Sequence, residues 1–446
     1  MMLMIKKIQL EKLIIPHMLV GVLLGSNVTL AQTPSDWSKL PSNTVTLFYP
    51  GQSSYQWLRS PKHKRANKQV LKGEACISCH EGEERDMGAV IVSGEKLEPH
   101  PQTGKPAVVD LSVKVAYDEV NVYFRFKWKT ANPYPGTAHP HWQFDGAQWQ
   151  QFGWPRLHKK VWLDGQPAIY EDRFSMMIDD GSIPMFAEQG CWLSCHTAMR
   201  DMPEVAKKTD VKAHALLGGK LKKKDVRKYL PSSRTDENSS WNQLHDEITL
   251  TDLKKKSGFA DLMQWRAHRS YPIDMADDGY VFEYRLTDAG KNIFSKNWDK
   301  PLNQPKYMFD KNIVGFRSRT LSQIRDLSKP SSLVVGENTV SFDPKIQWKK
   351  GELIPEYFVS RTMSKGSAAD NKQVFANWKK GYWTIEWQRK LDTGHPKDDK
   401  TLKDGQSYTF GFAVHDDNIT TRGHHVSFPI SIGFGVKANI EAIKLN

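Results

Sequence analysis

The stretch Cys76-Ile77-Ser78-Cys79-His80 constrains this chain more than any other. Two thiols at this spacing, followed at once by histidine, form the attachment pattern of a c-type haem. Each residue type has a chemical task. The thiols add across the porphyrin vinyl groups as thioethers, and the adjacent imidazole reaches the iron as its proximal ligand. The other two cysteines stand in Cys191-Trp192-Leu193-Ser194-Cys195-His196, the same arrangement with one more spacer residue. Cys76, Cys79, Cys191 and Cys195 are therefore expected to carry two covalently bound haem c groups, with His80 and His196 on the irons. Two disulfides would also use four cysteines, and a Cys-x-x-Cys pair can hold half of a zinc site. Neither explains a histidine directly after the second cysteine both times.

The N-terminus reads as an export signal over residues 1–31. Lys6, Lys7 and Lys12 make it positive, Leu13 to Gly25 is apolar, and Thr29-Leu30-Ala31 is a small-residue cleavage site. The apolar run is too short to span a bilayer comfortably, so a cleaved signal is preferred to an uncleaved anchor, with no transmembrane span after cleavage. Since c-type attachment takes place outside the cytoplasm, the expected compartment is a bacterial periplasm.

With 446 residues, 39% of them hydrophobic, the chain can bury a sizeable core. Its net charge of +13 bears on partners rather than on fold. The densest lysines lack the interleaved aromatics of a nucleic-acid surface, which disfavours nucleic acid and favours redox proteins with acidic docking surfaces.

The expected fold is mainly β: an antiparallel β-sandwich with an N-terminal c-type haem segment and a helical insertion. Residues 32–105 form the haem segment, rich in turns and charge, with little regular structure expected. Residues 106–440 form the sandwich, which includes the second motif at 191–196. Alternation from Val108 to Tyr117 and from Val120 to Trp128 predicts a hairpin. Further strands are predicted at Val161–Leu163, Phe174–Ile178, Tyr280–Leu286, Ser332–Phe342, Tyr382–Gln388, Tyr408–Val414 and Val426–Ala438. The rhythm breaks at about 200–275, where lysine runs at 220–228 and 254–256 read as helical faces.

What fills the sixth position of each iron separates electron transfer from chemistry. The candidates are His63 in a lysine-rich loop, His139 and His141 flanking Pro140, His424 and His425 after Gly423, and Met87 shortly after the first motif. One of the adjacent pair His424 and His425 should point inward. Other signatures fail: Gly433-Phe434-Gly435-Val436-Lys437-Ala438 has no room for the helix and strand of a dinucleotide fold, and no hydrolase, zincin or P-loop motif occurs.

The chain resembles the haem-binding domain family related to the γ subunit of ethylbenzene dehydrogenase and similar molybdenum enzymes. The residues that carry this are Glu171-Asp172-Arg173, Gln264-Trp265-Arg266-Ala267, Thr287-Asp288-Ala289-Gly290-Lys291, Gln304-Pro305-Lys306-Tyr307-Met308, and Val414-His415-Asp416-Asp417 through Ser427-Phe428-Pro429. The resemblance implies a β-sandwich that holds a haem and relays electrons. In the γ subunits that haem is b-type, held by methionine and lysine. Two covalent motifs depart from that pattern, so the methionine–lysine pairing does not transfer directly to Lys306 and Met308. The expected function is a periplasmic dihaem c-type cytochrome relaying electrons between a respiratory donor and a terminal oxidoreductase. Its alternatives are a haem enzyme with one open axial site and a haem subunit of a molybdenum oxidoreductase.

Overall fold

The computed structural model describes residues 34 and 36–445, apart from 133, 197–198, 203–205, 216–220, 222–224, 237–239, 288–292, 326–330 and 421–422. The export signal read over residues 1–31 lies outside them. The first segment is more regular than its composition suggests. It holds strand β1 (Asn43–Phe48) and four short helices, α1 (Tyr55–Arg59), α2 (Ala66–Leu71), α3 (Cys76–His80) and α4 (Glu84–Val92). Val45 and Leu47 alternate into the main core, which ties this segment to the sandwich. Ser54 caps α1 by accepting from the Trp57 amide.

The predicted hairpin is β2 (Val108–Tyr117) and β3 (Asn121–Lys129). Asp118 closes it by accepting from the amides of Val120 and Asn121. A second hairpin follows, β4 (His141–Phe144) and β5 (Trp149–Phe152). At Val161–Leu163 the structure has not a strand but a helical turn, α5 (Lys159–Trp162). Three apolar residues are too few to fix a period, and His158 caps the turn while Lys160 pairs with Asp164 at 2.6 Å.

Beyond this come β6 (Arg173–Asp179), α6 (Phe186–Gln189), α7 (Lys208–Ala213), α8 (Glu247–Lys255), β7 (Ala260–Arg266), and the short pair β8 (Gly279–Val281) and β9 (Arg285–Thr287). The window read as a helical insertion therefore ends early. Its last part, β7, is a strand of the main sheet, and much of the lysine run at 220–228 lies outside the described residues. β7 escaped notice because both its faces are buried, which erases alternation, and because Asp261, Gln264 and Arg266 interrupt its apolar run. Small sheets and turns then use β10 (Phe294–Lys296), β11 (Tyr307–Phe309), α9 (Lys311–Val314), β12 (Leu333–Val334), β13 (Thr339–Ser341), β14 (Leu353–Pro355) and β15 (Tyr357–Val359). The single strand expected at Ser332–Phe342 is thus two, split by a turn at Gly336 with φ of +83°. The chain closes with β16 (Gln373–Lys379), β17 (Tyr382–Lys390), β18 (Gln406–His415), β19 (His425–Val426), β20 (Ile430–Phe434) and β21 (Ile440–Lys444).

Among the described residues one sheet runs β16-β17-β3-β2-β1-β19-β18-β6-β7-β8-β9, with β20 on β18 and β21 between β20 and β2. β1 and β19 connect β2 to β18 along one route, and β21 and β20 along another. The sheet therefore curls into two facing leaflets, the expected sandwich, with antiparallel pairing except where β21 joins β2 and β20. Aromatic rings interlock between the leaflets: Phe126 lies 4.2 Å from Phe174, and Trp265 lies 4.8 Å from Trp383. Trp265 also meets Trp128 edge-on. Truncating it leaves a large void in the core, so Trp265→Ala is expected to cost about 3–5 kcal/mol; denaturant unfolding of the purified protein measures it. No helix among the described residues is long and apolar enough to cross a membrane.

One end of the core is polar. Glu171, just before β6, accepts from Arg269 Nε at 2.7 Å and from the amides of His268 and Arg269, and lies 3.2 Å from Arg173 Nε. Asp172 accepts from the Trp383 indole at 2.8 Å and the Gly136 amide at 3.0 Å. Arg266 pairs with Asp277. The motif residues at 171–173 and 264–267 thus build a buried ion-pair network that ties together the neighbouring strands β6, β7 and β8, with Asp172 reaching Trp383 of β17.

Candidate haem-attachment sites

The first motif is helix α3. One helical turn places Cys76, Cys79 and His80 on adjacent positions of one face. Cys79 is exposed, while Cys76 packs on Phe48, Leu58, Val70, Trp192, Val426 and Phe428. Burial pushes the Cys76 thiol up to about 11. His80 Nδ1 donates to Glu83 Oε2 at 2.9 Å, which leaves Nε2 with its lone pair.

The second motif opens with a 3-10 turn over Gly190–Ser194, entered through Gly190 at φ +56°. A side chain at Gly190 would press on Pro429 at 3.0 Å. The turn sits on the outer face of the leaflet formed by β18, β6 and β7, where Leu193 packs with Met177, Leu262 and Phe186. A hydrogen bond between the Cys191 and Cys195 thiols raises the first and lowers the second, and Lys228, 3.5 Å from Cys195 Sγ, adds to the lowering. No disulfide joins any of the four cysteines.

His196 is buried, and neither ring nitrogen has a hydrogen-bond partner. Tyr229 stacks on it at 3.7 Å, and Tyr55 lies 6.3 Å away. Burial, then Arg234, pulls its pKa down to about 3, so the imidazole is neutral, the form that binds metals. A buried polar atom without a partner costs about 1–3 kcal/mol. An iron at this ring would remove that cost for one of the two nitrogens, so the residues present fit a haem. Cys191 packs in the same aromatic cluster as Cys76, bringing the two motifs together at Phe48, Trp192 and Phe428. Phe48 lies 5.7 Å from Trp192 and 5.0 Å from Phe428.

The distal candidates separate sharply. His63 faces His80 across 6.3 Å, and Met87 packs on the cluster that holds Cys76. His139 and His141 do not join these motifs in the structure: both are buried beside His268, at 6.0 and 6.3 Å, with Glu356 3.4 Å from His139. Burial draws their pKa values down to about 4 and about 3. His425 is the inward member of its pair, its Nε2 donating to the Pro106 carbonyl at 2.8 Å. His424 stacks on His415 at 4.6 Å. Met308 belongs to another core cluster, with Trp142 and Phe309, and Lys306 donates through its amide to Asn297. Sequence reasoning missed Trp57, Tyr229, Lys228, His268 and His415 as site residues: Lys228 reads as part of a lysine run and His415 as part of a family stretch, while the others are lone residues that only the folded chain brings to a site.

The chain is similar to cytochrome c-552 of Stutzerimonas stutzeri, at 26% identity over 95% of each chain. It is also 28% identical to cytochrome c-551 of Rhodocyclus tenuis over 38% of this chain and 58% of that one. Residues 35–427 match the family described as ethylbenzene dehydrogenase, so the chain belongs to the ethylbenzene dehydrogenase family.

Proposed function

We propose that this chain is a dihaem c-type cytochrome of the periplasm that passes single electrons from a respiratory donor to a terminal oxidoreductase. The observation that carries this reading is the meeting of both Cys–His motifs at one aromatic cluster. Full-length similarity to a cytochrome c supports it. Cys76 and Cys79 anchor one haem with His80 on its iron; Cys191 and Cys195 anchor the other with His196. Bound haem supplies a one-electron iron couple. The protein holds the rings, excludes water around His196 and leaves the Cys79 side of the first motif near solvent, where a partner can approach. A net charge of +13 favours an acidic partner.

Mass spectrometry of the mature protein tests this directly. Two covalent haem increments are expected, together with two one-electron steps in a redox titration. One increment or none would overturn the reading.

A second reading, a haem enzyme, is favoured by one observation. Among the described residues the rings against His196 are tyrosines rather than a second imidazole. Carbon monoxide added to the dithionite-reduced protein separates the two readings. An unchanged Soret band supports the relay; a shift of half its intensity assigns an exchangeable position to one haem and the enzyme reading to that site.

A further inference from the structure

We infer that His63 is the distal ligand of the haem held by Cys76, Cys79 and His80, so that this iron is closed by two imidazoles. The inference rests on the attachment reading above and adds the sixth position, which the motif leaves open.

Three observations converge on His63. Its ring centre lies 6.3 Å from that of His80, and the two ring planes differ by 17°. A metal–imidazole bond is about 2 Å long, so two trans imidazoles on one metal hold their ring centres roughly 6 Å apart. The observed separation and near-parallel ring planes match that requirement. Both rings are also set in one tautomer. His63 Nδ1 donates to the Leu58 carbonyl at 3.0 Å and His80 Nδ1 to Glu83 Oε2 at 2.9 Å. That second bond orients ligating histidines and frees Nε2 for the metal.

The third observation is the rigidity of the loop. His63 ends a 3-10 turn that Pro61 starts, and Ser60 caps it by accepting from the Lys62 amide. Lys64 follows in the left-handed region at φ +51°, and Trp57 packs against the imidazole at 4.8 Å. The ring is therefore held in place before any ligand arrives. Of the other candidates, His139 and His141 lie in a separate cluster with His268, and His425 is packed beside Tyr49 with Nε2 on the Pro106 carbonyl.

The test is spectroscopic and uses the full-length holoprotein. Wild type should give a low-spin ferric signal in electron paramagnetic resonance with the rhombic shape of near-parallel imidazoles. His63→Ala should keep both covalent haems by mass, convert one of the two to a high-spin, carbon-monoxide-binding form, and recover the low-spin signal when free imidazole is added. His63→Met should remain six-coordinate, gain the far-red band of methionine-bound ferric haem, and titrate at a higher potential. Two haems by mass with an unchanged low-spin spectrum in His63→Ala would overturn the assignment and leave the attachment reading standing. Wild type without haem at Cys76 and Cys79 would overturn both. Should His63→Ala fail to accumulate, His63→Met decides: a wild-type spectrum and potential in that variant would sink the proposal.

Discussion

Replacing Cys191 and Cys195 together by serine is expected to halve the covalent haem content and the Soret absorbance per chain. A serine hydroxyl is not nucleophilic enough to add across a vinyl group, so no thioether forms at the second motif. The first motif is a separate helix with its own cysteines and its own histidine, and its haem should survive. The loss should also reach the fold. His196 would keep two buried ring nitrogens without partners, and the cluster of Phe48, Trp192 and Phe428 would lose one of its covers. Because an iron would bond only one of those nitrogens, losing the haem adds a cost of about 1–3 kcal/mol for that one atom. The matched variant with Cys76 and Cys79 replaced should lose the other half of the absorbance. Haem content by pyridine haemochrome against protein mass checks both. Full content in the Cys191/Cys195 variant would mean that the three-residue spacer is not an attachment site.

The parts of the fold that sequence makes visible are those with one face in water. β2, β3, β17 and β18 alternate because each shows one side to the core and the other to solvent or a polar neighbour. β6 and β7 are covered on both sides, by the main core and by the layer that carries the second motif. β6 still reads as a strand because its run is nearly all apolar; β7 does not, because its buried polar residues find partners only after folding. Gln264 meets Ser175, and Asp261 meets Arg389 at 2.9 Å. β1 is hidden in a segment whose charge and turns suggest irregularity, yet it sits between β2 and β19 and anchors the first motif to the sandwich.

The two Cys–His motifs are legible for another reason: the covalent attachment proposed for them would demand fixed spacing along the chain. Distal ligands carry no such demand. An imidazole reaches an iron from any distant loop, so sequence alone leaves His63, His139, His141, His424 and His425 on equal terms. Folding breaks the tie by placing His63 against His80 and His139 against His268. The stretches that carry the family resemblance are likewise split by the structure. Glu171, Arg173 and Arg266 turn out to tie the neighbouring strands β6, β7 and β8 at one end of the core rather than to contact either motif's cysteines.

That network sets the last expectation, that Glu171→Gln destabilises the protein by about 3–5 kcal/mol, because a buried ion pair deprived of one partner leaves an uncompensated charge. The amide keeps the shape and an acceptor oxygen but cannot neutralise Arg269 and Arg173. Burial alone would raise the Glu171 pKa, yet the two guanidiniums outweigh it and hold the carboxyl well below its ordinary 4.5. A carboxyl depressed in the fold stabilises it above the unfolded value, and that contribution fades as pH falls from 4.5 through the lower folded value. Asp172 works the other way. Burial and the nearby Asp416 raise it to about 7, so its contribution is complete below 3.8 and is lost as pH rises through about 7. Wild-type stability should therefore fall on both sides of mildly acid pH. Glu171→Gln should remove the acid limb attributable to residue 171 while keeping the loss towards neutrality. Guanidinium unfolding midpoints followed from pH 3 to pH 9 test both parts. An acid limb as steep in the variant as in wild type, or a penalty at neutral pH below about 1 kcal/mol, would show that the pairs around Glu171 do not hold this end of the core.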